Sequence, residues 1–151
     1  MNMREVRFEK VVLHATTADQ AKLEKYKKLL NVITNRKPAV TKAKRRIAAF
    51  KIRRGLVIGC KVTVRGKQGE ELAKRLLKAI DNTLSKKQVG PGFVSFGIKE
   101  YIEIPGVEYM RDVGIVGFDV TICLTKPGKR VKLRKIKKSK IGKKQTVSKE
   151  E

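Results

Sequence analysis

One histidine, His14, and two cysteines, Cys60 and Cys123, supply the only imidazole and thiol groups among 151 residues. Nucleophilic or metal-assisted catalysis needs such groups in sets, a nucleophile beside its base or several ligands at fixed spacing. Neither set can be assembled here. His14 has no second ligand type at a usable spacing, and neither cysteine belongs to a Cys-x-x-Cys pair. An enzyme, a bound metal and a disulfide framework are therefore disfavoured, no cofactor is implied, and both cysteines are expected as reduced thiols. Gly66-Lys67-Gln68-Gly69 lacks the glycine spacing and terminal Gly-Lys-Ser/Thr of a phosphate loop.

The chemistry the chain does carry is cationic. With 38 Lys and Arg against 14 Asp and Glu, the net charge is +24. It is unevenly spread, and only a localised field selects a polyanion. Residues 31–67 hold twelve basic and no acidic side chains, and residues 126–151 hold twelve basic and two acidic ones. Between them, residues 68–125 come close to neutrality, with seven basic and eight acidic. A cationic internal segment and a cationic tail around a near-neutral body are the electrostatic footprint of a nucleic-acid binder. Solubility alone would favour mixed signs and a modest net charge.

The elements that must position these charges follow from periodicity. Val11-Val12-Leu13 marks a first strand within 8–14. Thr17-x-x-Gln20 reads as a capping box opening a helix that runs to about Thr34, with Leu23, Tyr26, Leu30 and Ile33 as its apolar stripe. Residues 40–52 read as extended or loop-like, with a turn at Arg54-Gly55. In the next strand, 57–65, alternation puts Ile58, Cys60, Val62 and Val64 on one face and Gly59, Lys61, Thr63 and Arg65 on the other. That pattern describes a sheet covered on one side and open to a polyanion on the other. Leu72, Leu76, Ile80 and Leu84 predict a second helix, and the glycine-rich 85–92 predicts a flexible tip. Two further strands follow, one with Val94, Phe96, Ile98, Ile102 and Ile104 on a common face, the other with Val116, Phe118, Val120, Ile122 and Leu124. The order β-α-β-β-α-β-β predicts an α+β, two-layer sandwich: a mainly antiparallel sheet with two helices on one face, related to ferredoxin-like and RNA-recognition-motif folds. Residues 1–128 would form this domain. Residues 129–151 would be a basic tail, disordered until it meets its partner.

Val89 to Phe96 half-matches the RNA-recognition-motif octamer, but Pro91 replaces a stacking aromatic and the segment follows the second helix rather than preceding it. With five Phe and three Tyr in the chain, phosphate contacts and shape recognition of folded RNA fit better than base stacking.

Three ordered segments carry a resemblance: Thr34 to Lys44 (TNRKPAVTKAK), Ile58 to Gly66 (IGCKVTVRG) and Ser95 to Glu100 (SFGIKE). They resemble the 5S-rRNA-binding family of the fifth large-subunit ribosomal protein. Ile104-Pro105-Gly106-Val107-Glu108-Tyr109, Gly117-Phe118-Asp119-Val120 and the basic tail are similar to its archaeal or eukaryotic type, and the likeness runs from Val6 to about Arg134. The resemblance implies a structural RNA-binding protein of the central protuberance. Its implied partners are 5S rRNA, large-subunit rRNA, P-site tRNA, a small-subunit protein at an intersubunit bridge and other central-protuberance proteins. Carried onto matching positions, rRNA contacts would come from His14, Thr16, Arg36, Lys37, Thr41, Lys42, Lys44, Lys61, Thr63, Arg65 and Lys67. A tRNA-contacting hairpin would hold Arg45, Arg46, Phe50, Lys51, Arg53 and Arg54. The chain departs from the family pattern at His14-Ala15-Thr16-Thr17, where Asn and a Gly-rich turn are usual, and at Arg36, where Gln is common.

The alternative within the same class is a non-ribosomal RNA-binding or chaperone module of similar fold. From another class, a polybasic membrane-surface protein would need an amphipathic or lipidated anchor, and residues 126–151 offer few apolar residues and no terminal cysteine. No apolar run approaches the ~18–20 residues of a membrane helix, and the first residues lack a signal-peptide core. No membrane partner is expected, and the location implied is the cytoplasm, on the large ribosomal subunit.

Overall fold

The computed structural model describes residues 3–149; positions 1–2 and 150–151, the ends of the expected domain and tail, lie outside it. The strands are β1 (Arg7–Thr16), β2 (Ala39–Lys42), β3 (Val57–Val64), β4 (Val89–Gly90), β5 (Phe93–Ile98) and β6 (Phe118–Thr125). They form one sheet in the order β2-β3-β1-β6-β5-β4, with every neighbouring pair antiparallel. Helix α1 (Gln20–Thr34) connects β1 to β2, α2 (Lys67–Lys78) follows β3 and leads toward β4, and α3 (Arg130–Leu133) is a single turn. The four strands β2-β3-β1-β6 with α1 and α2 are two interleaved split β-α-β units, the ferredoxin-like arrangement the sequence predicts. β4 and β5 widen that core at its far edge.

Helix α1 packs over β3 and α2 over β1, both on the same side. Their buried residues, Leu23, Leu29, Leu30 and Ile33 from α1 and Leu72, Ala73 and Leu76 from α2, meet Val11, Leu13, Cys60, Val62, Val64, Phe96, Val120 and Ile122 from the sheet. Each fully buried aliphatic side chain contributes roughly 1.5–3 kcal/mol, so the cohesion of the molecule lies in this one interlayer core. Cys60 is part of it: it is fully buried, and desolvation pushes its thiol pKa up, against a smaller opposing pull from Lys27. It behaves as a small hydrophobe.

Several expectations are corrected in detail. The cap of α1 is Asp19, whose carboxylate accepts from the Ala21 amide at 2.9 Å, while Thr17 Oγ1 accepts from the Asp19 amide at 3.2 Å. A carboxylate at the positive end of a helix is a stronger cap than a hydroxyl, and Gln20, now the first helical residue, donates to the Val57 carbonyl instead of reaching back. Helix α2 stops at Lys78 although the apolar spacing continues, because Asp81 and Asn82 both take left-handed conformations, φ 53° each, and the Asn82 amide closes onto the Leu77 carbonyl at 3.0 Å. Ile80 and Leu84 still reach the core, through a loop. Within the expected tip 85–92, Pro91-Gly92 turns β4 onto β5. β5 ends at Ile98. Beyond it Tyr101 is fully buried, its hydroxyl accepting from the Met110 amide at 2.8 Å, while Ile102 is 40 % exposed. The segment 99–117 is thus a lobe folded around Tyr101, Ile104 and Val113 rather than a continued strand.

The segment after Gly128 is held to the body: Lys129 pairs with Glu9, Gln145 donates to the carbonyls of Met3 and Pro127, and Val147 is buried. Lys129 holds the Glu9 carboxyl below its ordinary range, against some desolvation. That link is complete above the ordinary carboxylate range and is lost as pH falls through the lowered one.

The asymmetry of the sheet is checked by paired variants in β3. Val62→Asp buries an unpaired carboxylate and should cost several kcal/mol of the ~5–15 kcal/mol available, whereas Lys61→Glu, one residue away on the exposed face, should stay within ~0.5 kcal/mol of the parent. Urea titration of both proteins decides it; a parent-like midpoint for Val62→Asp would contradict the face assignment.

Candidate nucleic-acid interface

Among the described residues neither α1 nor α2 covers the second side of the sheet, although at one end Lys10, Thr121, Cys123 and Phe93 share a cleft with Lys132 of α3 and with Ile141, Gln145 and Val147. Cross-strand partners share a face, so the register lays out its surface residue by residue. A central row runs Ala39, Lys61, His14, Asp119, Gly97 across β2, β3, β1, β6 and β5. On one side of it lies the row Thr41, Gly59, Thr16, and on the other Thr63, Val12, Thr121, Ser95. Next come Lys10, Cys123 and Phe93. The rows mix glycines, hydroxyls and a few cations with Ala39, Val12, Cys123, Phe93 and one carboxylate, Asp119. His14 Nε2 lies 3.3 Å from Thr16 Oγ1, and Ser95 Oγ lies 3.0 Å from Thr121 Oγ1.

Gly59 sets the flatness at the centre of this face. A Cβ there would come within 2.7 Å of the Ala15 carbonyl and 2.9 Å of Thr41 Oγ1, so only glycine lets β1, β3 and β2 run this close.

Beyond Thr41 the β2–β3 pair continues as a hairpin. Ala43 and Leu56 are joined through the Ala43 amide at 2.8 Å, and the Ile47 and Ile52 amides exchange bonds with each other's carbonyls at 3.0 and 3.1 Å. A 3-10 turn, Ala48–Phe50, forms the tip, closed by Lys51 in a left-handed conformation, φ 54°. Lys42 and Lys44 flank buried Ala43 at its root, and Arg45, Arg46, Lys51, Arg53 and Arg54 are all exposed along it. Phe50 stands 68 % exposed at the tip. Among the described residues, none of these cations has a carboxylate within ion-pairing distance.

The sequence-predicted rRNA residues therefore fall into two groups. His14, Thr16, Thr41, Lys61 and Thr63 share the open face, with Arg65 just past the end of β3. Arg36, Lys37 and Lys67 lie instead at the rim where α1 ends and α2 begins, and Arg36 Nη2 donates to Gln68 Oε1 at 2.9 Å. Gly97, Asp119, Thr121 and Ser95 join the face without having been anticipated there. Alternation in β5 and β6 marks their buried residues, and the same alternation identifies the outward ones.

Sequence reasoning also missed the lobe between β5 and β6. Residues 99–117 carry four acidic side chains and two basic, an imbalance that averaging over 68–125 conceals. Ile102, Tyr109 and Ile115 are exposed among them.

Two family models span almost the whole chain, one described as ribosomal protein L5 over residues 2–53 and one as the C-terminus of the same ribosomal family over residues 57–150. The chain belongs to the ribosomal L5 family. It is 43 % identical to the large ribosomal subunit protein uL5 of Archaeoglobus fulgidus, across 99 % of this chain and 84 % of that protein. It is 41 % identical to uL5 of Nanoarchaeum equitans, across 99 % and 89 %, and 44 % identical to uL5 of Pyrobaculum aerophilum, across 99 % and 84 %. As a family member it is a non-enzymatic constituent of the large ribosomal subunit, RNA-binding and engaged in translation, on the cytoplasmic ribosome. The boundary between the two family matches, residues 53 to 57, coincides with the return of the hairpin into β3.

The close approach at Gly59 yields a prediction. Gly59→Ala should destabilise the protein by roughly 1–3 kcal/mol, because the added methyl must push backbone apart. The edge strand should give way first. Hydrogen exchange should show faster exchange in β2 than in β6, and uniform protection would overturn the role assigned to the glycine.

Proposed function

We propose that the open face of the sheet grips 5S rRNA and large-subunit rRNA in the central protuberance. The observation that carries this is the side of the sheet left open by α1 and α2, where Thr16, Thr41, Thr63, Gly59, His14 and Lys61 lie together, in a chain of the ribosomal L5 family. The minor groove of A-form RNA is wide and shallow and displays 2′-hydroxyls, so a flat face with Thr41, Thr63, Thr16 and His14 can make close polar contacts to it. Lys61, Arg65, Lys42 and Lys44 take phosphates, and Arg36, Lys37 and Lys67 extend the cationic surface around the rim.

The hairpin is a second contact. Its unpaired cations gain only from a polyanion, and with Arg45, Arg46, Lys51, Arg53, Arg54 and the tip residue Phe50 it reaches P-site tRNA, as the family resemblance implies. The acidic, partly apolar lobe 99–117 is unsuited to RNA and fits a basic protein surface. It is our choice for the contact with a small-subunit protein at the intersubunit bridge, the remaining edges meeting other central-protuberance proteins. The tail from 129 on, anchored to the body through Lys129 and Gln145, orders further along rRNA, because its like charges repel until phosphates neutralise them.

Two experiments test this. Replacing Arg45, Arg46, Arg53 and Arg54 together by Ser should lower P-site tRNA affinity of reconstituted subunits, with a deficit that shrinks at high salt, while 5S rRNA is retained. Loss of 5S rRNA with unchanged tRNA binding would transfer the hairpin to assembly. Truncation after Arg134 should flatten the salt dependence of rRNA binding, by roughly one unit of slope or slightly less for each phosphate no longer neutralised. An unchanged slope would mean the tail engages no phosphates.

A further inference from the structure

The end of the sheet where β1 finishes carries a cleft of about 400 Å³. Thr16, Tyr26, Gly97, Lys99, Phe118 and Asp119 line it. One of these residues conflicts with its surroundings. Asp119 is exposed, lies in register between His14 and Gly97, and is the carboxylate of the central row of a face otherwise built for phosphates. Among the described residues no cation lies within ion-pairing distance of it. A carboxylate there repels the RNA backbone. It is useful only to a group that donates.

We propose that this cleft receives an unstacked guanine base of the bound RNA, with Asp119 accepting hydrogen bonds from its N1–H and N2–H. The inference rests on the RNA-binding reading above. Guanine is the base whose Watson–Crick edge offers two adjacent donors, the complement of the two carboxylate oxygens; the other bases each present an acceptor there, which the carboxylate repels. Sequence-specific RNA recognition works mainly on such unstacked bases, read at their edges. Partly buried Tyr26 and the core residue Phe118 close the cleft on the helix side, and exposed Lys99 is suited to the adjoining phosphate. Gly97 keeps the approach open, since a Cβ there would lie 3.6 Å from Asp119 Oδ1. The cleft also sits at the edge of the open face, so an RNA lying on that face can present a bulged nucleotide to it.

The probe is a short oligouridylate carrying one central guanosine, compared with the same strand carrying inosine, which lacks the N2 amine, or adenosine. The full-length protein should prefer guanosine by between about five- and a hundredfold, the discrimination of one good bidentate pair. Asp119→Asn, close to isosteric and on an exposed position, should reduce the preference to near unity. It should leave affinity for plain oligouridylate unchanged or slightly higher, since a negative charge has been removed. Gly97→Val should narrow the approach and reduce the preference as well. Absence of a guanosine preference in the parent, or its survival in Asp119→Asn, would overturn the proposal. So would its disappearance on chelating Mg²⁺, which would assign Asp119 to a cation, and so would free guanosine monophosphate binding as tightly as the oligonucleotide. Binding of intact 5S rRNA is measured alongside: its retention when the preference is missing condemns this site alone, whereas its absence condemns the RNA-binding reading itself.

Discussion

The open face depends on both helices lying on the same side of the sheet. β1 makes the division plain: Val11, Leu13 and Ala15 are buried under the helices, while Lys10, Val12, His14 and Thr16 point the other way. All the large apolar burial that holds the sheet together happens on the inner side. The outer residues contribute little to cohesion, so they are free to be small, polar or cationic, and a strand can satisfy core and partner at once. Were a helix placed over the second side, the same residues would become buried polar groups needing partners.

The same end of the molecule gathers three different chemistries. The hairpin continues β2 and β3 from the end where Thr16 faces Gly59, and the lobe 99–117 joins β5 to β6 next to the row that contains His14. Between them lies the cleft of Asp119 and Lys99. Cations thus occupy one half of that end and carboxylates the other, while ion pairs form elsewhere, at Glu5–Arg7, Glu9–Lys10 and Glu9–Lys129. At physiological ionic strength charges more than ~8 Å apart are largely screened, so the two patches act as separate surfaces rather than cancelling as a net charge.

The elements were legible in the sequence wherever one face was buried. β3 shows this best: an alternating strand with Cys60, Val62 and Val64 inside and Lys61 and Thr63 outside announces its register and its two unlike faces. Periodicity misled where local backbone chemistry was stronger. Leu72 to Leu84 keeps helical spacing, yet Asp81-Asn82 turns left-handed and ends α2 early. Ile98, Ile102 and Ile104 keep strand spacing, yet the buried hydroxyl of Tyr101 bonds to Met110 and folds a lobe. The site was legible in part for a related reason. Charge runs locate a cationic hairpin without any coordinates, but the neighbours of Asp119 come from two other strands, and only the register of the sheet brings His14, Asp119 and Gly97 side by side.

That register also fixes how the surfaces relate mechanically. From β3, at the root of the hairpin, to β6, at the root of the lobe, the sheet takes two steps through β1, roughly 10 Å at the usual spacing of strands. Both steps are antiparallel ladders, and α1 and α2 clamp them from behind. Bending the sheet between the two roots would open that close-packed interlayer core, whereas rotating a side chain on the outer face costs little. A load applied to the acidic lobe is therefore carried to the hairpin as rigid displacement rather than absorbed as strain. An RNA on the outer face, as proposed, would lie across those same strands. It follows that a nucleic acid gripped by the sheet, one touched by the hairpin and a protein met by the lobe would keep fixed relative positions, and that any motion among them has to be taken up in the partners or in the hairpin tip, whose Ile47 to Ile52 turn has no core beneath it.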